Sequence, residues 1–322
     1  MLSINNKSTY ALSVQKKVGT FDFPFTLNPY IGCEMGCAYC FVPQIVIKKS
    51  RTDFFHNVEI KEKLPELLKK ELKKYSNLPQ HLKRVQIGVT TELFQPKVIK
   101  YAKKNLGYDP IEKILEIFHK EDQKGNHWMI HLLTKNHNVD KYINQLTKMK
   151  HMVQVEFSII HHDENTSRKF EKFTSTLKRR LDAIETLSQN GIFVRVMAMP
   201  FYGNQNDLNV LKKKVFAKGT SAFKNKSLNY YDWNSFDGKT LKSELKRTKT
   251  KTNIHISNYI IKSGEELSNK RRVSVLLPND RKRGDKFINW AIHPKLGIEQ
   301  SLVKPVDLGY SSISKINWKY IY

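Results

Sequence analysis

Three cysteines, Cys33, Cys37 and Cys40, stand in one short stretch, and the chain has no others. An odd number of thiols packed into a single loop cannot build a disulfide framework. They read as metal ligands kept reduced. With three and then two residues between them, and with Gly32 and Gly36 letting the backbone curl, the thiolates can converge on one face of a cubane iron-sulfur cluster. A four-iron cluster usually takes four cysteines, so here one iron is open to another ligand and becomes a place for reaction. The competing reading is a structural zinc site of three Cys and one His, with His56 or a more distant histidine as the fourth ligand. Zinc sites usually pair their ligands from two separate knuckles, which weighs against it.

The loop needs a scaffold, and the flanking pattern supplies one. From Phe21 to about Asn206, short apolar runs alternate with amphipathic stretches, as in successive βα units around a parallel sheet. The runs Phe25 to Ile31, Arg84 to Val89, Trp128 to Leu133, Val153 to Ile160 and Ile192 to Met199 are rich in Val, Ile and Phe, as strands buried on both faces should be. Five such strands imply a barrel or a doubly wound sheet. Asp109-Pro110-Ile111-Glu112 is a helix start, followed by Ile114, Leu115 and Phe118 on one face. Leu177, Leu181, Ile184 and Leu187 repeat at helical spacing up to an Asn190-Gly191 stop, and Leu64, Leu67, Leu68 and Leu72 follow the same rule with Pro65 near the start. These stripes are core.

Beyond Asn206 a helix over Asp207 to Lys218 leads to Phe223-Lys224-Asn225-Lys226 and then to a Lys-rich stretch from Lys239 to Lys251, read as a loop or basic hairpin. Val273 to Leu277 could return one more strand, and Ile313 to Tyr322 reads as an edge strand. The expected organisation is an N-terminal extension over 1–20, a core over 21–206, and a basic C-terminal region over 207–322 that completes the barrel and forms the substrate side.

Lys and Arg number 56 against 30 Asp and Glu, a formal charge of +26 in 322 residues, far beyond what solubility requires. A polyanionic partner, DNA or RNA, is one explanation. Codon composition favouring Lys, Asn and Ile is the other, since the chain is rich in all three. Lys212-Lys213-Lys214, Lys224, Lys226, Lys246, Arg247, Lys249, Lys251, Arg271-Arg272 and Arg281-Lys282-Arg283 could rim a barrel mouth, with Tyr230, Tyr231 and Trp233 available to stack on a base. No apolar run is long enough to cross a bilayer, and Met1 to Lys17 lacks the apolar core of a secretory signal, so a cytoplasmic protein is expected.

The Cys-x-x-x-Cys-x-aromatic-Cys loop after the first strand of a βα series resembles the signature of the radical S-adenosylmethionine (SAM) superfamily, and the chain looks like spore photoproduct lyase and its relatives. The likeness extends over roughly 21–206, through Val58-Glu59-Ile60-Lys61, Thr90-Thr91-Glu92-Leu93-Phe94-Gln95-Pro96, Leu132-Leu133-Thr134-Lys135, Phe157-Ser158-Ile159, the helix at Leu177 to Ile184 and Met197-Ala198-Met199-Pro200. It implies a partial (β/α)6 barrel with a basic C-terminal extension. Its implied cofactors are a [4Fe-4S] cluster on Cys33, Cys37 and Cys40 and S-adenosylmethionine chelating the open iron. Its implied partner is an electron donor such as flavodoxin or ferredoxin. By position in the motifs, Tyr39 packs on the adenine, Thr91 and Ser158 contact the cofactor, Lys135 meets its carboxylate, Glu92 its amino group, and Arg180 a carboxylate or phosphate. Two positions depart from the lyases: Val89 stands where they carry a hydrogen-donating cysteine, and Phe41 where a tyrosine follows the last cluster cysteine.

Overall fold

Why the apolar runs become strands is visible in how they pair: each lies beside the run that precedes it in the chain, with helices in between to cover the sheet. The computed structural model describes residues 1–14, 23–78, 83–227, 258–261 and 266–267, with a few single positions between 239 and 246. Two short strands come first, β1 (Leu2–Asn5) and β2 (Leu12–Val14), then β3 (Phe25–Leu27), β4 (Tyr30–Ile31), β5 (Val58–Lys61), β6 (Arg84–Ile87), β7 (Met129–Thr134), β8 (Val153–Ser158), β9 (Phe193–Phe201), β10 (Ala222–Ser227), β11 (Asn258–Ile261) and β12 (Glu266–Leu267). The helices are α1 (Arg51–His56), α2 (Leu64–Lys74), α3 (Pro96–Leu106), α4 (Pro110–Gln123), α5 (Ile143–Lys148), α6 (Glu164–Phe170), α7 (Leu177–Gln189) and α8 (Gln205–Ala217).

Strands β3, β6, β7, β8, β9 and β10 pair in that order, all parallel. Antiparallel β2 flanks one side, and β11 and β12 the other. Among the described residues this sheet does not close on itself, so the architecture is a six-stranded partial barrel, as the resemblance implied. A second sheet, β1-β5-β4, sits beside the cysteine loop. Among the described residues no helix is long and apolar enough to cross a membrane.

Three expectations change in detail. The run Phe25 to Ile31 is not one strand: it breaks at Asn28-Pro29, where Pro29 has no N–H to give a ladder and the Asn28 Oδ1 accepts the Thr90 N–H at 2.9 Å. Helix α8 begins two residues before Asp207, because Asn204 and Asp207 form a reciprocal capping box around its first turn. Phe223 to Lys226 belong to a strand, β10, parallel to β9. Its lysines disguise a strand, paired on both sides, whose Ala222 and Phe223 are buried. The segments Val273 to Leu277 and Ile313 to Tyr322, the aromatics Tyr230, Tyr231 and Trp233, and Arg247, Lys249, Lys251, Arg271-Arg272 and Arg281-Lys282-Arg283 lie outside the described residues.

Helix ends follow the caps read from sequence. Asp109 accepts the Ile111 and Glu112 N–H groups, and α4 buries Ile111, Ile114, Leu115 and Phe118. Gly191, at φ 76°, turns the chain after α7 into β9. Register aligns the inner faces of three neighbouring strands: Ser158 is level with Met197 and then Lys224, and Glu156 with Arg195 and then Ala222. The opposite face of β8 and β9 carries Val155, Phe157, Val194 and Val196, all buried in the main core. One face of the barrel wall is therefore oily and the other polar.

Candidate cluster and cofactor site

The cysteine loop leaves β4 and is clamped from four directions. Gly32, at φ 100°, lies so close to the chain at Asn57 that a Cβ would come within 2.3 Å of that carbonyl oxygen, so no other residue fits there. The Cys33 N–H donates to Phe54 O at 3.1 Å and the Ala38 N–H to Phe170 O at 2.9 Å. The Glu34 N–H donates to Gln95 Oε1 at 2.7 Å. Arg51 then closes the C-terminal half, its two terminal nitrogens donating to Cys40 O at 3.0 Å and Cys37 O at 2.8 Å. A loop held this firmly by backbone contacts presents its thiols before any metal arrives.

Cys37 is buried, and Cys33 and Cys40 are half-buried. Burial pushes the Cys33 thiol up to about 12 and the other two above their ordinary value, with Arg51 and Lys135 partly opposing this at Cys40. Such thiols lose their protons only to a strong cation, which is what metal ligation supplies. Among the described residues, the group of three or more His, Cys, Asp or Glu whose ligand atoms fall within 4.8 Å of one another is His161, His162 and Asp207, and not the cysteines. His56, exposed at the end of α1, is bonded through Nδ1 to Thr52 O and is not drawn in as a fourth ligand.

Around Cys37 the strand ends supply a polar cage. Lys135, just past β7, places its ammonium against the Ser158 hydroxyl, 3.4 Å from Glu171 Oε1 and 5.5 Å from the centre of the Tyr39 ring. The Tyr39 hydroxyl donates to Glu171 Oε1. Arg180, buried on the inner stripe of α7, donates through Nη1 to Glu171 Oε2 at 2.9 Å and to Ser158 O at 2.8 Å. Burial alone would raise the Glu171 carboxyl, but Arg180, Lys135 and Tyr39 outweigh it and hold it below the usual carboxylate range. Three of the six candidate contacts, Tyr39, Lys135 and Arg180, thus converge on a carboxylate that the sequence reading did not single out, and Ser158 joins them through Lys135 and Arg180. The signal was there: Arg180 shares the buried stripe with Leu177, Ile184 and Leu187, and a buried guanidinium demands an acid.

Thr91 and Glu92 sit one step further out. Thr91 donates to Gly32 O at 2.6 Å and so braces the turn into the cysteine loop. Glu92 is buried, its carboxyl raised by burial, and it accepts from Thr134 Oγ1 at 2.6 Å, Phe94 N at 3.1 Å and Lys135 N at 2.7 Å. Its bonds fix the loop that carries Lys135.

At the neighbouring strand end, His161 and His162 stack at 4.5 Å, and His162 Nε2 lies 3.0 Å from Asp207 Oδ1. His161 accepts the Asp163 N–H at Nδ1, so in its neutral form the proton is on Nε2, toward Asp207. That is the wrong tautomer for a metal ligand at Nε2, and the trio is a hydrogen-bonded brace between β8 and α8.

Comparison with known proteins agrees with this geometry. The family model described as the Radical SAM superfamily matches residues 27–212. An uncharacterised protein of Methanocaldococcus jannaschii is 24% identical over 173 residues, covering 52% of this chain and 56% of that protein, so the chain spans little more than half of this relative. Among solved structures, a spore photoproduct lyase variant with bound AdoMet and dinucleoside spore photoproduct aligns at TM-score 0.55 with 15% identity, over 79% of this chain and 67% of that one. Spore photoproduct lyase complexed with dinucleoside spore photoproduct aligns at 0.53 with 14% identity, over 88% and 78%. These likenesses establish the fold.

Proposed function

The chain belongs to the radical SAM superfamily, and from that membership we propose that it is a radical enzyme acting on a nucleic-acid substrate, by lesion repair or base modification. Its cofactors are a [4Fe-4S] cluster and S-adenosylmethionine. When bound and reduced, they supply a 5′-deoxyadenosyl radical that can take a hydrogen atom from a substrate. The observation that carries the reading is the set of three cysteines in one clamped loop, Cys37 buried and Cys33 and Cys40 half-buried, on an open parallel barrel.

The residues divide the work. Cys33, Cys37 and Cys40 hold three irons, while Arg51 and Gln95 fix the backbone that presents them. Tyr39, oriented by Glu171, forms the wall on which the adenine packs, and Lys135 and Ser158 offer donors to the cofactor's polar end. Met35, Ile160 and Phe170 pack with Cys37 and Tyr39 in a buried apolar cluster that keeps water from a reactive centre. The reduced state of the three thiols suits a cytoplasmic compartment.

The nucleic-acid substrate is supported by the charge of +26 and by the likeness in fold to a protein that binds dinucleoside spore photoproduct. In this reading residues 21–206 carry the cofactors and 207–322 the substrate side. Val89 follows β6 at the place of the lyases' cysteine, and its methyl groups are poor hydrogen donors, so clean reversal of spore photoproduct is not the expected reaction. The test is anaerobic reconstitution followed by two assays. Reduced protein should bind about four irons and release 5′-deoxyadenosine. Oligonucleotide affinity should fall linearly with salt on a log–log scale, with a slope of roughly −0.7 to −0.9 per phosphate contact. Cofactor cleavage without salt-dependent oligonucleotide binding would transfer the protein to the enzymes that modify peptides or small molecules.

A further inference from the structure

Tyr202 follows β9 directly, and its N–H donates to Ile160 O at 3.1 Å, which ties it to the strand end beside Ser158. Its ring lies flat on Phe170, 4.1 Å between centres at 11°, and 6.0 Å from the Tyr39 ring. Together with Met35, Cys37 and Ile160 these rings make a small core of their own behind the cysteine loop. The side chain is 0% exposed, yet its hydroxyl has no hydrogen-bond partner, and neither the Cys37 thiol nor the Glu171 carboxylate is within bonding reach. The neighbouring Tyr39 hydroxyl shows the contrast, since it is satisfied by Glu171.

A buried, unpaired hydroxyl costs about 1–3 kcal/mol, and a fold keeps one where something else completes it. A phenol that needed only to fill space would be a phenylalanine at no loss, because the Phe170 stack uses the ring alone. We infer that Tyr202 is a cofactor-positioning residue whose hydroxyl donates a hydrogen bond to the adenosine portion of S-adenosylmethionine. The adenosine end follows from placement, since Tyr202 stands beside Tyr39, the ring on which the adenine packs in the reading above. The assignment rests on the cofactor reading above. Iron content and 5′-deoxyadenosine release by the wild-type protein test that reading by themselves.

The experiment compares cluster-loaded wild type with Tyr202→Phe in three measurements: thermal midpoint without cofactor, equilibrium binding of S-adenosylmethionine, and equilibrium binding of 5′-deoxyadenosine. The expected result is an unchanged or higher midpoint, because an unsatisfied group has been removed, with affinity for both ligands weakened about 3- to 10-fold, the worth of one neutral hydrogen bond. A structural role would instead lower the midpoint. Wild-type affinity for both ligands overturns the assignment. Loss confined to S-adenosylmethionine also overturns it, by moving the contact to the methionine end.

Discussion

Among the described residues, two carboxylates, Glu156 and Glu171, are buried completely, both beside arginines, and they serve different purposes. Glu156, on β8, has Arg195 Nε at 2.6 Å, Lys224 Nζ at 3.3 Å and His131 Nε2 at 3.1 Å, so its partners come from β9, β10 and β7. Glu171 lies just past the end of α6 and is shared by a loop tyrosine, a strand-end lysine and a helix arginine. Burial would raise both carboxyls, and in both the cations prevail: Arg195 with Lys224 and His131 hold Glu156 well below the usual range, as Arg180 with Lys135 and Tyr39 hold Glu171 below it. The electrostatics are alike, but strand partners are fixed by the sheet ladder, whereas loop and strand-end partners are free to be recruited by a ligand. The first cluster ties the barrel wall together and, in the function proposed above, the second sets out the cofactor pocket.

The sharpest way to break this contrast is Glu156→Ala. It leaves Arg195 buried without its carboxylate and should cost about 3–5 kcal/mol in urea unfolding, while the protein that remains folded binds S-adenosylmethionine as the wild type does. A loss of cofactor affinity equal to that of a Glu171 variant would erase the distinction.

Acid should act on the same wall. His131 is buried edge-on against Phe23, and burial first, then Arg195, lowers its ring from 6.5 to about 4. Between those values the unfolded chain holds the proton and the folded chain does not, so stability falls as pH falls from about 6.5 toward 4, by up to about 3 kcal/mol. Below that the depressed Glu156 and Glu171 carboxyls take protons and add to the loss. Unfolding midpoints measured at half-unit steps should show this decline in the wild type and a shallower one in His131→Gln.

Glu171→Gln comes next. The amide can still accept from Arg180, so the stability cost should be about 1–3 kcal/mol, but Tyr39 and Lys135 lose the charge that orients them. Affinity for S-adenosylmethionine should drop about tenfold with iron content unchanged, and Glu171→Asp should recover part of it. Iron loss in step with affinity would mean that Glu171 supports the loop and not the pocket.

The two regions were unequally legible in the sequence. The thiol spacing announced the cluster because ligand chemistry is local, and the helix caps at Asp109 and Asn190-Gly191 announced the turns for the same reason. The Val- and Ile-rich runs pointed to a parallel sheet, barrel or doubly wound, and the family resemblance implied the partial barrel. Glu171 was hidden because its meaning lies in partners distant along the chain, and because Phe170-Glu171-Lys172 reads as an ordinary polar segment. Strand β10 was hidden by its lysines, since it alternates buried Phe223 with a charge that reaches inward, as Lys224 does to Glu156. Glu156 and Arg195 sit in otherwise apolar runs, and only the register at β8 and β9 shows that they meet.

Ser158 lies where the two regions touch, and it sets the smallest of the expected effects. It is two residues along β8 from Glu156, its carbonyl accepts from Arg180, and its hydroxyl meets Lys135. Ser158→Ala keeps the carbonyl and the strand, so the wall should not notice: a stability change within about 0.5 kcal/mol is expected. The pocket should notice, because one donor to the cofactor and one restraint on Lys135 are gone. Removing a single hydrogen bond of about 0.5–1.5 kcal/mol predicts a 2- to 10-fold weaker Kd for S-adenosylmethionine with the reduced-cluster signal intact. Lys135→Ala should exceed it, since a charge-assisted bond is roughly twice as strong as a neutral one. If Ser158→Ala instead lowers the unfolding midpoint and leaves Kd alone, the hydroxyl belongs to the wall, and the line between the two regions moves one residue toward the mouth of the barrel.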